Sequence, residues 1–318
     1  MKNIFKTLTM TCALALGSFL MSGCNNGKKT IGIIQFGTHE SLNDCYNGMV
    51  QGLKDELKES FDNYVIDRQN SNFDSAASAA QANTFVSKNV SIIGAIATPS
   101  AMAAASAARG SIPVVYCAVS DPAAAGLTTM NNVTGSSDLL DFDGQLDLIK
   151  TFIPTVSKIG VMYTLNEANS ISQIEALTTK AEAMNIEIVR QAITNANEIP
   201  TATDTLLGRG IDCITNLTDN TVVGALDIIL AKTNAARIPV FGSEIDQVKG
   251  GCLASASLDY VALGQQTGVL MAKVLKGDVT ASNDVAIKIE DSFNCYSASV
   301  AEALGITLPD VSQMRNVD

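Results

Sequence analysis

The sequence has no tryptophan and only one histidine, and these scarcities restrict the chemistry open to the chain. A single histidine cannot build a histidine-rich zinc site, so we expect no metal and no cofactor. The lack of tryptophan argues against a sugar ligand, because sugar rings commonly stack on that side chain. Lysine and arginine form no cluster, and acidic residues outnumber them by 32 to 21. We therefore expect no nucleic-acid partner, since phosphate binding requires a basic face.

Common enzyme signatures are also missing. The chain has no G-x-S-x-G elbow, P-loop or G-x-G-x-x-G turn, and a Ser–His–acid triad would have to use His39. One enzymatic alternative is a two-lobed racemase with Cys117 and Cys213, one from each half, as acid and base. Both lie inside apolar runs, where inert buried thiols are usual. We predict a protein that is not an enzyme.

Residues 1–23 resemble a bacterial lipoprotein signal. Lys2 and Lys6 precede an apolar core that is too short to span a bilayer as a helix. Cys24 follows two small residues, and we predict that it is lipidated and becomes the mature N-terminus. Residues 24–29 then form a tether. The mature protein is expected at the extracytoplasmic face of a bacterial membrane.

Three apolar segments of the first half recur in the second half in the same order. Residues 31–34 return as 159–162 and residues 111–115 as 237–241, and a third match lies between them in each half. Short β-branched runs separated by helical stretches predict two βαβ lobes. So long a period indicates a doubled domain rather than a solenoid. Two lobes imply a cleft, in which a small ligand binds.

The predicted fold class is α/β, with two Rossmann-like lobes whose parallel sheets are joined by a hinge of several crossings. Residues 30–135 and about 257–283 are assigned to lobe 1, and residues 136–256 to lobe 2. The sequence leaves open whether residues 284–318 join the second lobe.

Ligands of open parallel sheets bind beyond the carboxyl ends of the strands, so the loops that follow the strands are the candidate site. These loops carry hydroxyls, amides and acids, and scarcely a base. The candidate ligand-binding residues are Phe36, His39, Thr98, Ser100, Ser120, Asp121, Asn169, Ser170, Asp219, Asn220 and Glu244.

The candidate residues favour a ligand that carries one negative and one positive group. Thr98, Ser100 and Ser120 lie just ahead of predicted helix starts, where free backbone N–H groups favour an anion. Asp219 and Glu244 can hold an ammonium group. A small zwitterion such as an amino acid satisfies both halves. Ordinary helix capping remains an alternative explanation for each of these residues.

Several strings of the sequence resemble one family. They are IATPS (96–100), AVSDPAAAGL (118–127), NVTG (132–135), EANS (167–170), TDN (218–220), FGSE (241–244) and LDYVALGQQTG (258–268). Over nearly the whole mature chain they resemble ABC-transporter substrate-binding lipoproteins, whose better-known members bind aromatic amino acids such as tryptophan.

The resemblance implies a type I periplasmic-binding architecture that closes on its ligand. By analogy with amino-acid binders of that fold, the three hydroxyl residues named above hold the carboxylate, and Glu244 or Asp219 holds the amine. Asn169 and Asn220 complete the contacts of the second lobe, and Phe36 contributes to aromatic selectivity. The implied partners are a membrane permease and its ATPase, and the chain is expected to be a monomer. A ligand sensor for a membrane signalling partner is the remaining alternative.

Overall fold

The computed structural model of the chain describes residues 27–283, 286–288 and 292–318. The predicted signal segment 1–23 and the predicted lipidation site Cys24 lie outside these residues. Strands and helices alternate along the described chain. None of its helices combines the length and the apolar character needed to cross a bilayer.

The elements of both lobes follow one another in chain order. The strands are β1 (Lys29–Gln35), β2 (Tyr64–Asn70), β3 (Ile92–Ile96), β4 (Val114–Cys117), β5 (Val133–Ser137), β6 (Lys158–Thr164), β7 (Glu187–Ile193), β8 (Cys213–Thr215), β9 (Val240–Phe241), β10 (Ala254–Ser257), β11 (Ile287–Lys288), β12 (Phe293–Tyr296) and β13 (Arg315–Asn316). The helices are α1 (Glu40–Leu57), α2 (Ser75–Ser87), α3 (Thr98–Ala108), α4 (Phe142–Phe152), α5 (Ala168–Ala183), α6 (Ile199–Leu207), α7 (Asn220–Val223), α8 (Leu226–Ala236), α9 (Ile245–Lys249), α10 (Tyr260–Lys276) and α11 (Ala298–Leu304).

Lobe 1 is built on a parallel sheet with the strand order β11–β5–β4–β3–β1–β2. Ile33 of β1 lies opposite Arg68 of β2 on one side and Gly94 of β3 on the other. Strands β1 and β3 are nearly continuous apolar runs because helices cover both faces of the sheet. Helices α1 and α10 pack on one face and α2 and α3 on the other, which gives the lobe two core layers.

Lobe 2 repeats this arrangement with the parallel sheet β7–β6–β8–β9. Strand β10 continues the sheet: the N–H of Leu253 donates to the Val240 carbonyl at 2.7 Å, and that of Gly242 donates to the Ala254 carbonyl at 2.9 Å. Strand β12 pairs antiparallel with β10, and β13 pairs parallel with β12. Helices α4 and α5 cover one core layer, and α6 and α8 cover the other.

The described chain passes between the lobes after β5, after β10 and between β11 and β12. Strand β11 pairs with β5, so Ile287 lies opposite Ser136 in lobe 1. Residues 292–318 pack on lobe 2 through β12, α11 and β13. The segment that the sequence left open is thus divided between the lobes. The predicted α/β class of two lobes with parallel sheets is confirmed.

Helices α1 and α10 approach each other at backbone distance through two glycines on each helix. Gly48 and Gly52 on α1, and Gly264 and Gly268 on α10, are each four residues apart and so share one helix face. A Cβ atom at Gly52 would lie 2.0 Å from a carbonyl oxygen of α10, and one at Gly268 would lie 2.1 Å from a carbonyl oxygen of α1. This contact ties the returning chain to the start of lobe 1.

Candidate ligand-binding site

A cleft between the lobes collects side chains from the carboxyl ends of the strands of both sheets. The start of α1 and the segments after β4 and β5 form one wall, the loops after β6, β8 and β9 form the other, and the start of α10 closes one side. The residues lining this interlobe cleft are His39, Ser41, Leu42, Ala118, Ser120, Asp138, Asn169, Thr218, Asn220, Val223, Ser243, Glu244, Gln247 and Tyr260. Open parallel sheets bind ligands at this edge.

Asp138 is a buried carboxylate, 2% exposed, in the crossing after β5. Its Oδ1 accepts a hydrogen bond from the Ser120 hydroxyl at 2.9 Å, and its Oδ2 accepts one from the Tyr260 hydroxyl at 2.8 Å. Burial raises the pKa of Asp138, and the two hydroxyls oppose the rise because they solvate the charged form. No lysine or arginine is among the described residues that line the cleft.

Glu244 is a second buried carboxylate, 2% exposed, on the wall formed by lobe 2. It caps α9, because its oxygens accept hydrogen bonds from the backbone N–H groups of Asp246 at 2.6 Å and Gln247 at 2.9 Å. Burial, and then the charge of Asp246, raises the pKa of Glu244 to about 7. The Ser41 hydroxyl across the cleft and the capping N–H groups act in the opposite direction.

Glu167 organises the amides of lobe 2 without lining the cleft. One of its oxygens accepts from the backbone and side-chain N–H groups of Asn220, at 3.0 and 2.6 Å. The other accepts from the N–H and hydroxyl of Thr221, at 2.9 and 2.7 Å. Asn169 donates to the Thr218 carbonyl at 2.8 Å, while its own Oδ1 is buried with no partner among the described residues. This oxygen lacks the hydrogen bond that buried polar atoms normally make.

His39 precedes the first residue of α1 and lies across the cleft from Asn220. Burial lowers the pKa of His39 to about 4, against the smaller opposing effects of the Asn220 amide and the charge of Asp246, so the imidazole is neutral at pH 7. Neither ring nitrogen makes a complete hydrogen bond within the described part of the chain. No side chain caps α1, so the first N–H groups of the helix, near Ser41 and Leu42, are also available.

The lobes are closed on each other across this cleft. The Ser120 hydroxyl of lobe 1 lies 2.8 Å from the Thr218 hydroxyl of lobe 2, and Gln173 holds Thr218 from behind through two hydrogen bonds. The cavity that remains between the closed lobes has a volume of about 20 Å³, which is room for about one water molecule. A ligand larger than water therefore enters only when the lobes separate.

The structure brings part of the predicted set together. The predicted residues that line the cleft are His39, Ser120, Asn169, Asn220 and Glu244. The predicted residues that lie outside its lining are Phe36, Thr98, Ser100, Asp121, Ser170 and Asp219. Capping and packing account for the positions of the second group.

Asp219 is occupied by its own lobe. It accepts hydrogen bonds from the N–H and hydroxyl of Thr164 at 2.6 and 2.9 Å, from the Ser170 hydroxyl at 2.5 Å and from the Val222 N–H at 2.9 Å. Burial, and then the charge of Glu167, raises the pKa of Asp219 to about 7. Asp219 thus caps α7 and anchors the end of β6. The arrangement does not support ligand contacts for Asp219 or Ser170.

Thr98 and Ser100 lie buried in the first turn of α3. The Ser100 hydroxyl is 3.4 Å from the Ser78 hydroxyl of α2, so this helix start packs on a neighbouring helix. Asp121 accepts from the Ala124 N–H at 2.8 Å and caps the turn that follows β4. The structure therefore does not support ligand contacts for these three predicted residues.

Phe36 supports the cleft from behind rather than lining it. It is 2% exposed and belongs to the core of lobe 1. Its ring meets Phe73 edge-on, with the centroids 5.9 Å apart and the planes at 90°. Phe73 in turn stacks on His39, with the centroids 6.4 Å apart and the planes at 6°. Phe36 thus acts on the cleft through Phe73 and His39.

The lining of the cleft also contains residues that the strand ends do not predict: Asp138, Tyr260, Ser41 and Gln247. Asp138 directly follows β5, and Tyr260 follows the crossing after β10, so both stand where the chain changes lobe. An acid next to a predicted crossing was the signal available in the sequence. Which crossing residues face the cleft depends on how the strands before them are paired.

The two cysteines of the racemase alternative do not reach the cleft. Cys117 lies in β4 and Cys213 in β8, and both have no exposed surface. Burial raises the pKa of the Cys213 thiol, which disfavours its thiolate. The described residues contain no group of three or more His, Cys, Asp or Glu side chains placed to hold a metal. This arrangement does not favour the two-cysteine enzyme.

Two parallel-sheet lobes, joined by three crossings and closed over a polar cleft, define the class of type I periplasmic binding proteins. A family model described as ABC transporter substrate binding protein matches residues 30–315. The chain belongs to this family. The predicted resemblance to substrate-binding proteins with aromatic amino-acid ligands is confirmed by the relatives.

One relative is the tyrosine-binding protein of Clostridioides difficile strain R20291, which is 36% identical over 293 residues, 86% of this chain and 84% of the relative. The ABC domain from Streptococcus pneumoniae in complex with L-Trp is 31% identical with a TM-score of 0.85, over 90% of this chain and 98% of that domain. The ligand-free, open structure of a Clostridium difficile substrate-binding protein with adhesive properties is 34% identical, with a TM-score of 0.68 over 91% and 99% of the two chains. The chain thus superposes better on the L-Trp complex than on the open relative, although its identity with the open relative is higher.

Proposed function

We propose that this protein is the extracytoplasmic receptor of an ABC importer and that its ligand is a zwitterionic amino acid with an aromatic side chain. The lobes close on the ligand, and the closed complex delivers it to a membrane permease driven by a separate ATPase. The names of two relatives, with tyrosine and L-Trp as ligands, support the class of side chain.

The pair of buried carboxylates in the cleft, Asp138 and Glu244, carries this proposal. Each is 2% exposed, and the described lining contains no lysine or arginine and only a neutral histidine. An ionised carboxylate in such surroundings is costly unless a cation pairs with it. The ammonium group of an amino acid supplies that cation through charge-assisted hydrogen bonds.

Neutral donors elsewhere in the cleft suit the ligand carboxylate. They are the uncapped start of α1 at Ser41 and Leu42 and the His39 imidazole, whose ring nitrogens have no partner among the described residues. The dipole of α1, an 18-residue helix, adds a favourable potential for an anion at this end. The aromatic stack of His39 on Phe73 lies beside these donors.

Membrane attachment is part of the proposal. The lipoprotein-like segment that ends at Cys24 supports a lipid anchor on a monomeric receptor, with residues 24–29 as the tether. The match to the family of ABC transporter substrate-binding proteins over residues 30–315 is the reason to prefer this role to that of a sensor for a membrane signalling partner. Palmitate labelling of the full chain tests it: label should be incorporated and should be lost in Cys24→Ser.

A thermal-shift series on the mature chain tests the ligand. L-tyrosine and L-tryptophan should raise the melting temperature, since a ligand at a hundredfold excess over Kd stabilises the folded state by about 2.7 kcal/mol. Tyramine lacks the carboxylate, 3-(4-hydroxyphenyl)propionate lacks the amine, and L-alanine lacks the ring. Each should give a much smaller shift. Equal shifts by the amine-free analogue and L-tyrosine would refute the zwitterion assignment.

A further inference from the structure

An aromatic side chain of lobe 1 contacts lobe 2 beside the interlobe cleft without lining the cleft. Phe73 lies in the loop between β2 and α2, and the tip of its ring meets Gly224 at the end of α7. A Cβ atom at Gly224 would lie 2.9 Å from Cζ and 3.2 Å from Cε2 of Phe73. Gly224 therefore forms a notch in lobe 2, and the ring tip occupies it.

The notch depends on space rather than on backbone conformation. Gly224 has φ −63° and ψ −13°, helical values that any residue adopts. Within lobe 2, the nearest neighbour of a Cβ atom at this position would be the Asn220 carbonyl at 3.1 Å, a contact that a small shift relieves. The serious obstacle to a larger side chain at Gly224 is thus the ring from the other lobe.

Phe73 is held firmly by its own lobe. Its φ of 63° lies in the left-handed region, which aromatic residues rarely adopt. Its N–H donates to the Phe36 carbonyl at 2.7 Å, and its ring lies so close to Gly37 that a Cβ atom there would be 2.0 Å from Cε1. Strained conformations of this kind persist where the surroundings determine them. The ring is therefore poorly able to swing away from Gly224.

Both partners of this contact are joined to the lining of the cleft. His39, which lines the cleft, stacks on the ring of Phe73. Asn220 also lines the cleft. It is the first residue of the one-turn helix α7, and Gly224 directly follows the last residue of that helix. When the lobes close, the ring of Phe73 therefore enters the notch at Gly224 at the same time as the two walls of the cleft come together.

We propose that the Phe73–Gly224 contact is a latch that sets the closing equilibrium of the lobes and thereby controls ligand affinity without touching the ligand. The inference rests on the proposed capture of a ligand by lobe closure. The contact exists only in the closed form, so its free energy enters the open–closed equilibrium and not the stability of either lobe.

The variant Gly224→Leu tests the latch, and Gly208→Leu is the matched control. Gly208 lies in the same lobe at the end of α6, with φ −68° and ψ −11°, and a Cβ atom there would be 3.4 Å from its nearest neighbour. Gly224→Leu should weaken binding of L-tyrosine and L-tryptophan about tenfold or more, as overpacked contacts do. Gly208→Leu should bind like the wild type, and both should melt near the wild-type temperature. Adding Phe73→Ala to Gly224→Leu should restore part of the affinity, because it clears the space.

A ligand-free measurement separates the latch from the ligand assignment. Asp44 on α1 belongs to lobe 1 and Lys249 on α9 belongs to lobe 2, so a cross-link between these positions bridges the lobes. Cysteines placed at these two positions should react with a short bismaleimide at a rate that follows the closed population. Gly224→Leu should slow this cross-linking severalfold, and Gly208→Leu should not. Equal rates and equal affinities in the two leucine variants would overturn the latch. If the wild type binds neither amino acid but Gly224→Leu alone slows the cross-linking, the ligand assignment fails and the latch stands.

Discussion

Replacing Glu244 by glutamine should stabilise the ligand-free protein at neutral and alkaline pH and weaken ligand binding at the same time. Burial raises the pKa of Glu244 from about 4.5 to about 7. The native state therefore retains a proton that the unfolded chain releases between these values. The stability contributed by this group is complete below about pH 4.5 and is lost as the pH rises towards 7.

The size of the effect follows from the two pKa values. Linkage predicts that ionising Glu244 costs the native state about 0.8 kcal/mol at pH 5 and about 3.4 kcal/mol at pH 8. The glutamine variant escapes this cost, although it loses one of the two capping hydrogen bonds of α9, worth about 1 kcal/mol. The variant should therefore change from about as stable as the wild type at pH 5 to about 2 kcal/mol more stable at pH 8.

Melting curves at half-unit pH intervals measure this difference, and Glu302→Gln on exposed α11 is the control. The difference in melting temperature between wild type and Glu244→Gln should grow by about 5–10 °C from pH 5 to pH 8. The other titrating groups are common to both proteins, so their contributions largely cancel in the difference between the two melting temperatures. Calorimetry with L-tyrosine should show binding weakened about thirtyfold or more, as expected when a buried charge partner is removed. A pH-independent stability difference would refute the burial argument, and unchanged affinity would remove Glu244 from the amine site.

Three further substitutions separate binding from architecture. Asp138→Asn should weaken L-tyrosine binding about tenfold or more in calorimetry while the far-ultraviolet spectrum is kept; unaltered affinity would exclude Asp138 as the amine partner. Gly268→Ala should destabilise the chain by about 3 kcal/mol in urea unfolding, because the new Cβ atom meets a carbonyl oxygen of α1 at 2.1 Å. Gly208→Ala is its control. If the two variants were equally stable, helices α1 and α10 would be able to move apart without a loss of stability. Asp219→Asn should lower the melting temperature by several degrees and leave the affinity of the folded protein within about threefold, because the four donors to Asp219 all come from lobe 2. A large loss of affinity at unchanged stability would restore Asp219 to the ligand site.

Much of the fold could be predicted from local patterns because each pattern reports a local cause. The apolar runs of β1 and β3 predict strands covered on both faces, and the structure places helices on both faces. An acid directly before an alanine-rich stretch indicates a helix N-cap at Asp74, and its side chain accepts from the N–H groups of Ala76 and Ala77. Neither inference required knowledge of distant parts of the chain.

The candidate site was predictable only in part. The end of a strand indicates which loop lies at the edge of the sheet, but it does not indicate in which direction the side chains of that loop point. Ser120 and Ser100 both follow strands, yet the Ser120 hydroxyl meets lobe 2 while the Ser100 hydroxyl lies near α2. Asp219 and Glu244 are both acidic N-caps, and only the environment of Glu244 opens to the cleft. Residues of the same or similar type thus have different roles because their side chains pack in different surroundings.

The sequence by itself determined two lobes, parallel sheets and a polar edge, because hydrophobic periodicity, the internal repeat and the family strings are properties of neighbouring residues. Only the tertiary structure decided that Asp138 in a crossing joins Glu244 from the other wall, and that Phe73 of lobe 1 reaches Gly224 of lobe 2. These pairs are more than 100 residues apart along the chain. Their contacts depend on how closely two separately folded lobes approach, and that distance is set by packing across the cleft rather than by any local pattern.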